Sequence, residues 1–345
     1  MLGPPVRWIM VSVVLGAADA VPQSLAAAES SSVFEPASPS AQAISNLFWL
    51  VLALAGVILA LVLGVLFYCL IRFRGRAVEE AVTEPPQLYG SPRIEIAWTL
   101  GPLLIVFLLF LVVIRIVVVV RGASAPPPGD LLVRVVAHQW WWRFDYPDLG
   151  VTTADELHVP LSTPQDPQTV YLRLESADVA HSFWVPRLAG KTDVIPGRVN
   201  TMSFQPTEAG VFHGQCAEYC GMEHAGMLIR VVVEPLADFR RWIAAQRRPA
   251  VEDPTQEAGR QLFFSLTCFN CHTIRGTLAE GTFGPDLTHL MSRQTLASGV
   301  ILNDREHLTE WLKNPQAVKP GCYMPDLDLT DKEVETLVNY LETLR

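Results

Sequence analysis

The chain predicts a multidomain membrane protein: a two-helix transmembrane hairpin, then a β-sandwich, then a small all-α domain. Three observations predict this. Two long apolar runs lie near the N-terminus, period-two alternation fills the middle, and capped helical periodicity occupies the last ninety or so residues. Each run suits a different solvent, since lipid demands continuous hydrophobicity, a half-buried sheet demands alternation, and a surface helix demands an apolar stripe.

In chain order, residues 1–28 have the pattern of a secretory signal, with Arg7, the apolar run Trp8 to Ala18 and the small-residue site Ala18-Asp19-Ala20. Ala26-Ala27-Ala28 is a second cleavage candidate, and a first membrane anchor is the other reading of this short run. The Ala, Ser and Pro of Ala26 to Gln42 read as an exposed, unpacked segment. Residues 44–71 are apolar enough to cross a bilayer, which takes about 20 residues. Residues 94–115 form the second span, between Trp98 and Arg115, the latter read as snorkelling to the interface. Arg72, Arg74, Arg76 and Arg93 put the connecting loop on the cytoplasmic side and everything after Arg121 outside.

Beyond the hinge Pro126-Pro127-Pro128, residues 129–236 alternate as strands do, in Val133, Val135 and Ala137, in Val170 to Glu175, and in Met227 to Val233. Pro196-Gly197 and Ala209-Gly210 supply turns, so a sandwich of two sheets is expected. Residues 237–253 read as a basic helical linker closed by Pro249 and Pro254. Residues 254–345 hold three helical segments, Glu257 to Leu266, Asp304 to Lys313 and Thr330 to Leu344, the last opened by Thr330 and Glu333 at capping-box spacing.

A formal charge of -9 with no Lys/Arg cluster argues against nucleic acid as a partner. Six cysteines in an exported chain would ordinarily suggest disulfides, but their positions suggest cofactors. Cys216, Cys220, His224 and Met227 fall within one short stretch. Thiolate, imidazole and thioether together suit copper, and two cysteines can bridge a pair of ions where a mononuclear site needs one. A second imidazole is required, for which His181 is the best candidate; His213 is expected to point away. A Cys216–Cys220 disulfide or a zinc site leaves Met227 without a purpose.

Cys268-Phe269-Asn270-Cys271-His272 is the attachment signature for c-type haem, with Cys268 and Cys271 forming thioethers and His272 the proximal ligand. A methionine should occupy the sixth position. Met324, in Lys319-Pro320-Gly321-Cys322-Tyr323-Met324-Pro325, is the first choice and Met291 the rival. Cys69 reads as an apolar filler in the first span, and Cys322 has no assigned role.

The copper stretch, Lys191 to Arg198 and the aromatic run His138-Gln139-Trp140-Trp141-Trp142 resemble subunit II of haem-copper cytochrome c oxidases from Ile44 to about Val233. Gly259 to Leu344 resembles a class I cytochrome c. The resemblance implies a cupredoxin-like sandwich carrying a dinuclear CuA centre on His181, Cys216, the Glu218 carbonyl, Cys220, His224 and Met227. It further implies magnesium at the Glu218 side chain where subunit I abuts, electron entry at Trp140, and a proton entrance at Glu95 in place of a mere helix-terminal acid.

The implied function is an electron relay from cytochrome c or another donor, through haem c and CuA, to subunit I. Subunit III is the further expected partner, and the site of action is the bacterial inner membrane with both soluble domains on the periplasmic face. Two alternatives remain open at this point, the CuA subunit of a nitric-oxide reductase and a free-standing membrane-anchored carrier.

Overall fold

In the computed structural model, residues 32–74, 89–121, 127, 130–251 and 253–345 are described. The signal region, Arg76 and most of the proline hinge lie outside them. Helix α1 (Pro39–Arg72) starts where Pro39 follows Ser38, whose hydroxyl accepts the Ala41 amide at 3.0 Å. Helix α2 (Pro92–Arg121) runs through Pro102. Both are long and apolar enough to span a bilayer, and their apolar windows are exposed in this chain, as side chains meant for lipid or a membrane partner would be. Both extend past the apolar runs themselves, because polar ends remain helical beyond the hydrocarbon.

Ten strands form the sandwich: β1 (Leu131–His138), β2 (Trp141–Tyr146), β3 (Val151–Ala154), β4 (Glu156–Pro160), β5 (Val170–Ser176), β6 (His181–Trp184), β7 (Thr192–Val194), β8 (Asn200–Phe204), β9 (Gly210–Cys216) and β10 (Leu228–Glu234). One sheet has the order β3-β2-β1-β5-β8 and the other β4-β10-β9-β6-β7. The pairs β1·β5 and β4·β10 are parallel and the remainder antiparallel. Val133, Val135, Leu172 and Leu174 from the first sheet meet Leu157, Phe212, Ile229 and Val231 from the second, all within 2% of full burial. Each such side chain contributes about 1.5–3 kcal/mol.

Two regions depart from the sequence reading. The segment before α1 is not wholly unpacked: Ala37 and Ser38 are buried, Ala37 N–H donates to Arg187 O, and Thr207 N–H and hydroxyl both donate to Ala37 O. Small residues read as disordered because they carry no apolar pattern, yet smallness is what lets this backbone lie flat on the sandwich. The expected linker is likewise built into the sandwich. Helix α3 (Leu236–Gln246) buries Phe239 and Ile243 in its core, and Trp242 stacks on His158 at 4.1 Å and 9°. Phe239, Trp242 and Ile243 share one helical face, which the neighbouring arginines obscured.

The C-terminal domain holds α4 (Glu257–Ser265), α5 (Arg305–Lys313), α6 (Pro315–Val318) and α7 (Asp331–Leu341), with the Thr330–Glu333 capping box formed in both directions. Two hairpins of two-residue strands, 273–274 with 279–280 and 295–296 with 301–302, interrupt the all-helical pattern; they are too short for periodicity to show. Helix α4 crosses α7 at Gly259, where a Cβ would lie 2.5 Å from Thr336 O and Tyr340 Cβ. Phe263, Val334, Leu337, Val338 and Leu341 fill the core between them.

Candidate functional site

The loop joining β9 to β10 is folded on itself before any ion is considered. Cys216 N–H donates to Met227 O at 2.9 Å, closing the loop, and Ala217 N–H donates to Ser182 O on β6, which holds the loop beside His181. His181 is fully buried, and its Nε2 lies 2.8 Å from Asp178 Oδ1, leaving Nδ1 3.8 Å from Cys216 Sγ. Around the two sulfurs, 3.8 Å apart, stand His224 Nδ1 at 3.6 Å and Met227 Sδ at 3.9 Å from Cys220, and Glu218 O at 3.2 Å from Cys216.

These separations decide the chemistry. A disulfide requires sulfurs about 2.05 Å apart, whereas donors each about 2.0–2.3 Å from a shared tetrahedral ion lie about 3.3–3.8 Å from one another. The six predicted donors are therefore brought together at metal-sharing distances, and their soft sulfur content fits copper. The ligand atoms of His181, Cys216 and Cys220 all lie within 4.8 Å of one another. Hydrogen bonding from Cys220 holds the Cys216 thiol well below the ordinary range, against its burial, and the same bond drives Cys220 up. Burial alone would lower His181, but Asp178 and Cys216 outweigh it and raise it. His213, on β9 opposite Arg230, is not part of the donor group. The Glu218 side chain is half exposed, 3.9 Å from Lys191 Nζ.

Where the C-terminal domain meets the sandwich, a cavity of about 330 Å³ is bordered by Cys268, Cys271, His272, Trp311 and Met324, and on the sandwich side by Trp140 and Trp141. Cys268 and Cys271 are not joined in a disulfide, and Cys268 O accepts both the Cys271 and His272 amides, so the pentapeptide is one compact turn. His272 Nδ1 lies 2.8 Å from Pro285 O, which leaves its other ring nitrogen for a metal. Burial lowers the His272 pKa and favours the neutral, ligating form. Gly284 must be glycine, since a Cβ there would sit 2.7 Å from the imidazole. Two thiols, an oriented imidazole and an apolar cavity fit a covalently held haem. Met324 borders this cavity; Met291 packs against the domain's hydrophobic core instead. Gln316 Nε2 fastens the Met324 loop by donating to Cys322 O and Met324 O, both at 2.9 Å.

The two sites face each other across a docked interface that sequence reasoning missed. Trp140 Nε1 donates to Cys220 O at 3.0 Å while its ring stacks on Tyr323, centroids 5.4 Å apart. Glu156, 2% exposed, accepts from Gln294 N–H, Thr295 N–H and the Thr295 hydroxyl at 2.8–3.0 Å. Lys319, 3% exposed, donates to Trp140 O and Gly226 O at 2.8 Å and to Ala297 O at 3.1 Å. Burial pushes the Lys319 pKa down to about 8, against the pull of Asp155. Glu95 stands apart from all of this, in the first turn of α2 with its carbonyl accepting the Thr99 hydroxyl.

Three regions of the chain match known protein families. Residues 27–116 match the family profile "Cytochrome C oxidase subunit II, transmembrane domain", residues 161–234 its periplasmic domain, and residues 256–345 "Cytochrome c". Cytochrome c oxidase subunit 2 of Alkalihalophilus pseudofirmus is 32% identical over 92% of this chain and 92% of its own, and that of Bacillus subtilis is 32% identical over 81% and 82%. The solved periplasmic domain of subunit II from Bradyrhizobium japonicum is 30% identical, covering 35% of this chain and 96% of its own with a TM-score of 0.33. With the match running through membrane hairpin, sandwich and fused haem domain alike, this chain belongs to the cytochrome c oxidase subunit 2 family, the electron-transferring subunits of haem-copper oxidases.

Proposed function

We propose that the chain relays single electrons from an external donor, cytochrome c or a similar carrier, through its helical domain to its copper loop and on to the oxygen-reducing site of subunit I. The observation that carries this reading is the convergence of two cofactor sites on one interface, with Trp140 touching both the copper loop and the Met324 loop. When bound, haem and a thiolate-bridged copper pair supply reversible one-electron chemistry without an open position for substrate. Cys268, Cys271, His272 and Met324 would hold the first; His181, Cys216, Glu218 O, Cys220, His224 and Met227 would hold the second. The protein's own contribution is rigidity: Asp178 fixes the His181 ring, Pro285 O fixes His272, and Gln316 fixes the Met324 loop.

Membership among oxidase subunits favours this reading over a nitric-oxide reductase subunit or a free-standing carrier. Two spans with Arg72, Arg74 and Arg93 at their loop ends favour the bacterial inner membrane with both soluble domains outside. Three finer assignments belong to the assembled complex: contact with subunit III, magnesium at Glu218 beside subunit I, and proton entry at Glu95. Glu218→Ala should lower the magnesium content of the oxidase, and Glu95→Gln should slow turnover with copper and haem intact.

Met324→Ala tests the relay directly. Haem should stay covalently attached through Cys268 and Cys271, and the reduced full-length chain should begin to bind carbon monoxide. If Met291→Ala opens the iron and Met324→Ala does not, the ligand assignment is wrong.

A further inference from the structure

The contact between the two domains is more specific than a tether requires. Tyr323 immediately precedes Met324, and its ring lies over Trp140 with an interplanar angle of 23°. Its hydroxyl donates to Gln139 Oε1 at 2.8 Å, and Gln139 Nε2 in turn donates to Cys220 O at 2.7 Å, the same carbonyl that Trp140 Nε1 reaches at 3.0 Å. One residue of the haem-side loop thus meets one carbonyl of the copper loop by two routes. The register of that meeting is held from four residues away: Lys319 donates three hydrogen bonds to carbonyls, two of them on the sandwich. A buried ammonium that ends on backbone carbonyls of both domains binds them only in one relative placement, because each bond is directional and each acceptor is fixed in a turn or strand.

We propose that Tyr323 is the residue through which the helical domain is electronically coupled to the copper loop, by its stack on Trp140 and its hydrogen-bonded link through Gln139 to Cys220, and that Lys319 is the positioning residue that keeps this loop in register. The inference rests on the relay reading above and goes past it in naming the bridge. One electron leaves the helical domain, which is oxidised by one, and one enters the copper loop, which is reduced by one. Tyr323 stays a neutral phenol that keeps its own proton while donating the hydrogen bond to Gln139 Oε1, so no proton accompanies the transfer.

The test uses the full-length chain loaded with copper and haem, and reads three quantities: electron transfer after flash photoreduction, the haem and copper spectra, and backbone amide exchange at residues 139–141 and 321–324. Tyr323→Phe keeps the stack and loses the hydroxyl link, so transfer should slow measurably, and less than in Tyr323→Leu, with exchange unchanged. Tyr323→Leu loses both contacts and should slow transfer about tenfold or more, as lost geometry does. Gln139→Leu cuts the same link from the sandwich side and stands in wherever a Tyr323 variant shifts the haem spectrum. Lys319→Met should raise amide exchange in both segments about tenfold and slow transfer with the spectra intact. Wild-type transfer rates in Tyr323→Leu and Gln139→Leu, with unshifted spectra, overturn the bridge; unchanged exchange in Lys319→Met overturns the register role. A wild-type chain without a copper signal, or with no transfer between its domains, overturns the relay itself, and the bridge with it.

Discussion

The copper loop and the haem cavity are built on opposite principles. Donors of the copper loop are converged by bonds the sandwich makes anyway, Cys216 N–H to Met227 O and Ala217 N–H to Ser182 O among them. The haem cavity has no such independence: its walls include Leu287, Leu290, Leu296 and Leu308 of the domain's own hydrophobic core, closed on one side by Trp140 and Trp141 of the sandwich. One site is a graft on a finished scaffold, and the other is part of the scaffold. It follows that the two cofactors should differ in what their loss does to the fold.

The largest effect is expected from Cys268→Ala with Cys271→Ala, which removes haem attachment. Emptying space lined by a domain's own core costs on the order of several kcal/mol, a large share of the roughly 5–15 kcal/mol that holds a domain folded. Circular dichroism of the full-length variant should show the C-terminal helices unfolded and the strands retained. A cooperative, wild-type-like melt would break the comparison.

Next comes Glu156→Ala, which leaves three donors of the 294–298 hairpin without their buried acceptor. About 2–3 kcal/mol of docking should be lost. Calorimetry should then resolve two unfolding transitions farther apart than in the wild type; a single unshifted transition would mean that the interface is held elsewhere.

Cys216→Ser should have the smallest effect on folding, about 1 kcal/mol, and a complete effect on its site. Copper content should fall to background and the mixed-valence signal should vanish while the melt barely moves. Retained copper would overturn the donor set, and an unfolded sandwich would overturn the claim that this loop is a graft.

How much of this was readable beforehand follows from where the information lies along the chain. The haem pentapeptide and the run Cys216 to Met227 are contiguous, so residue chemistry and spacing exposed them at once. His181 was reached only by asking for a second imidazole, since nothing in Ala180-His181-Ser182 marks a ligand; β6 must pair with β9 before Phe183 stands opposite Cys216. Lys319, Glu156 and Tyr323 gave no signal. A lysine, a glutamate and a tyrosine are ordinary surface residues by type, and the acceptors of Lys319 lie up to 179 residues away in sequence. Helix α3 was misjudged for a related reason, because its arginines are conspicuous in sequence while the Trp242 stack on His158 exists only in three dimensions.

The seam at Ala37 and Ser38 bears on how the chain must be made. The Ser38 hydroxyl donates to Leu188 O across 150 residues, and the Ala37 carbonyl waits for Thr207, across 170. Ribosomal synthesis delivers this short segment first, then both membrane helices, and only afterwards the strands that receive it. The ten strands are continuous in the chain, but the segment that covers one side of their core precedes the membrane helices and must dock back onto it. A soluble fragment begun after the second helix would lack the bonds that Ala37 and Ser38 make to Arg187, Leu188 and Thr207, and adding residues 34–38 as a peptide is the direct way to restore them.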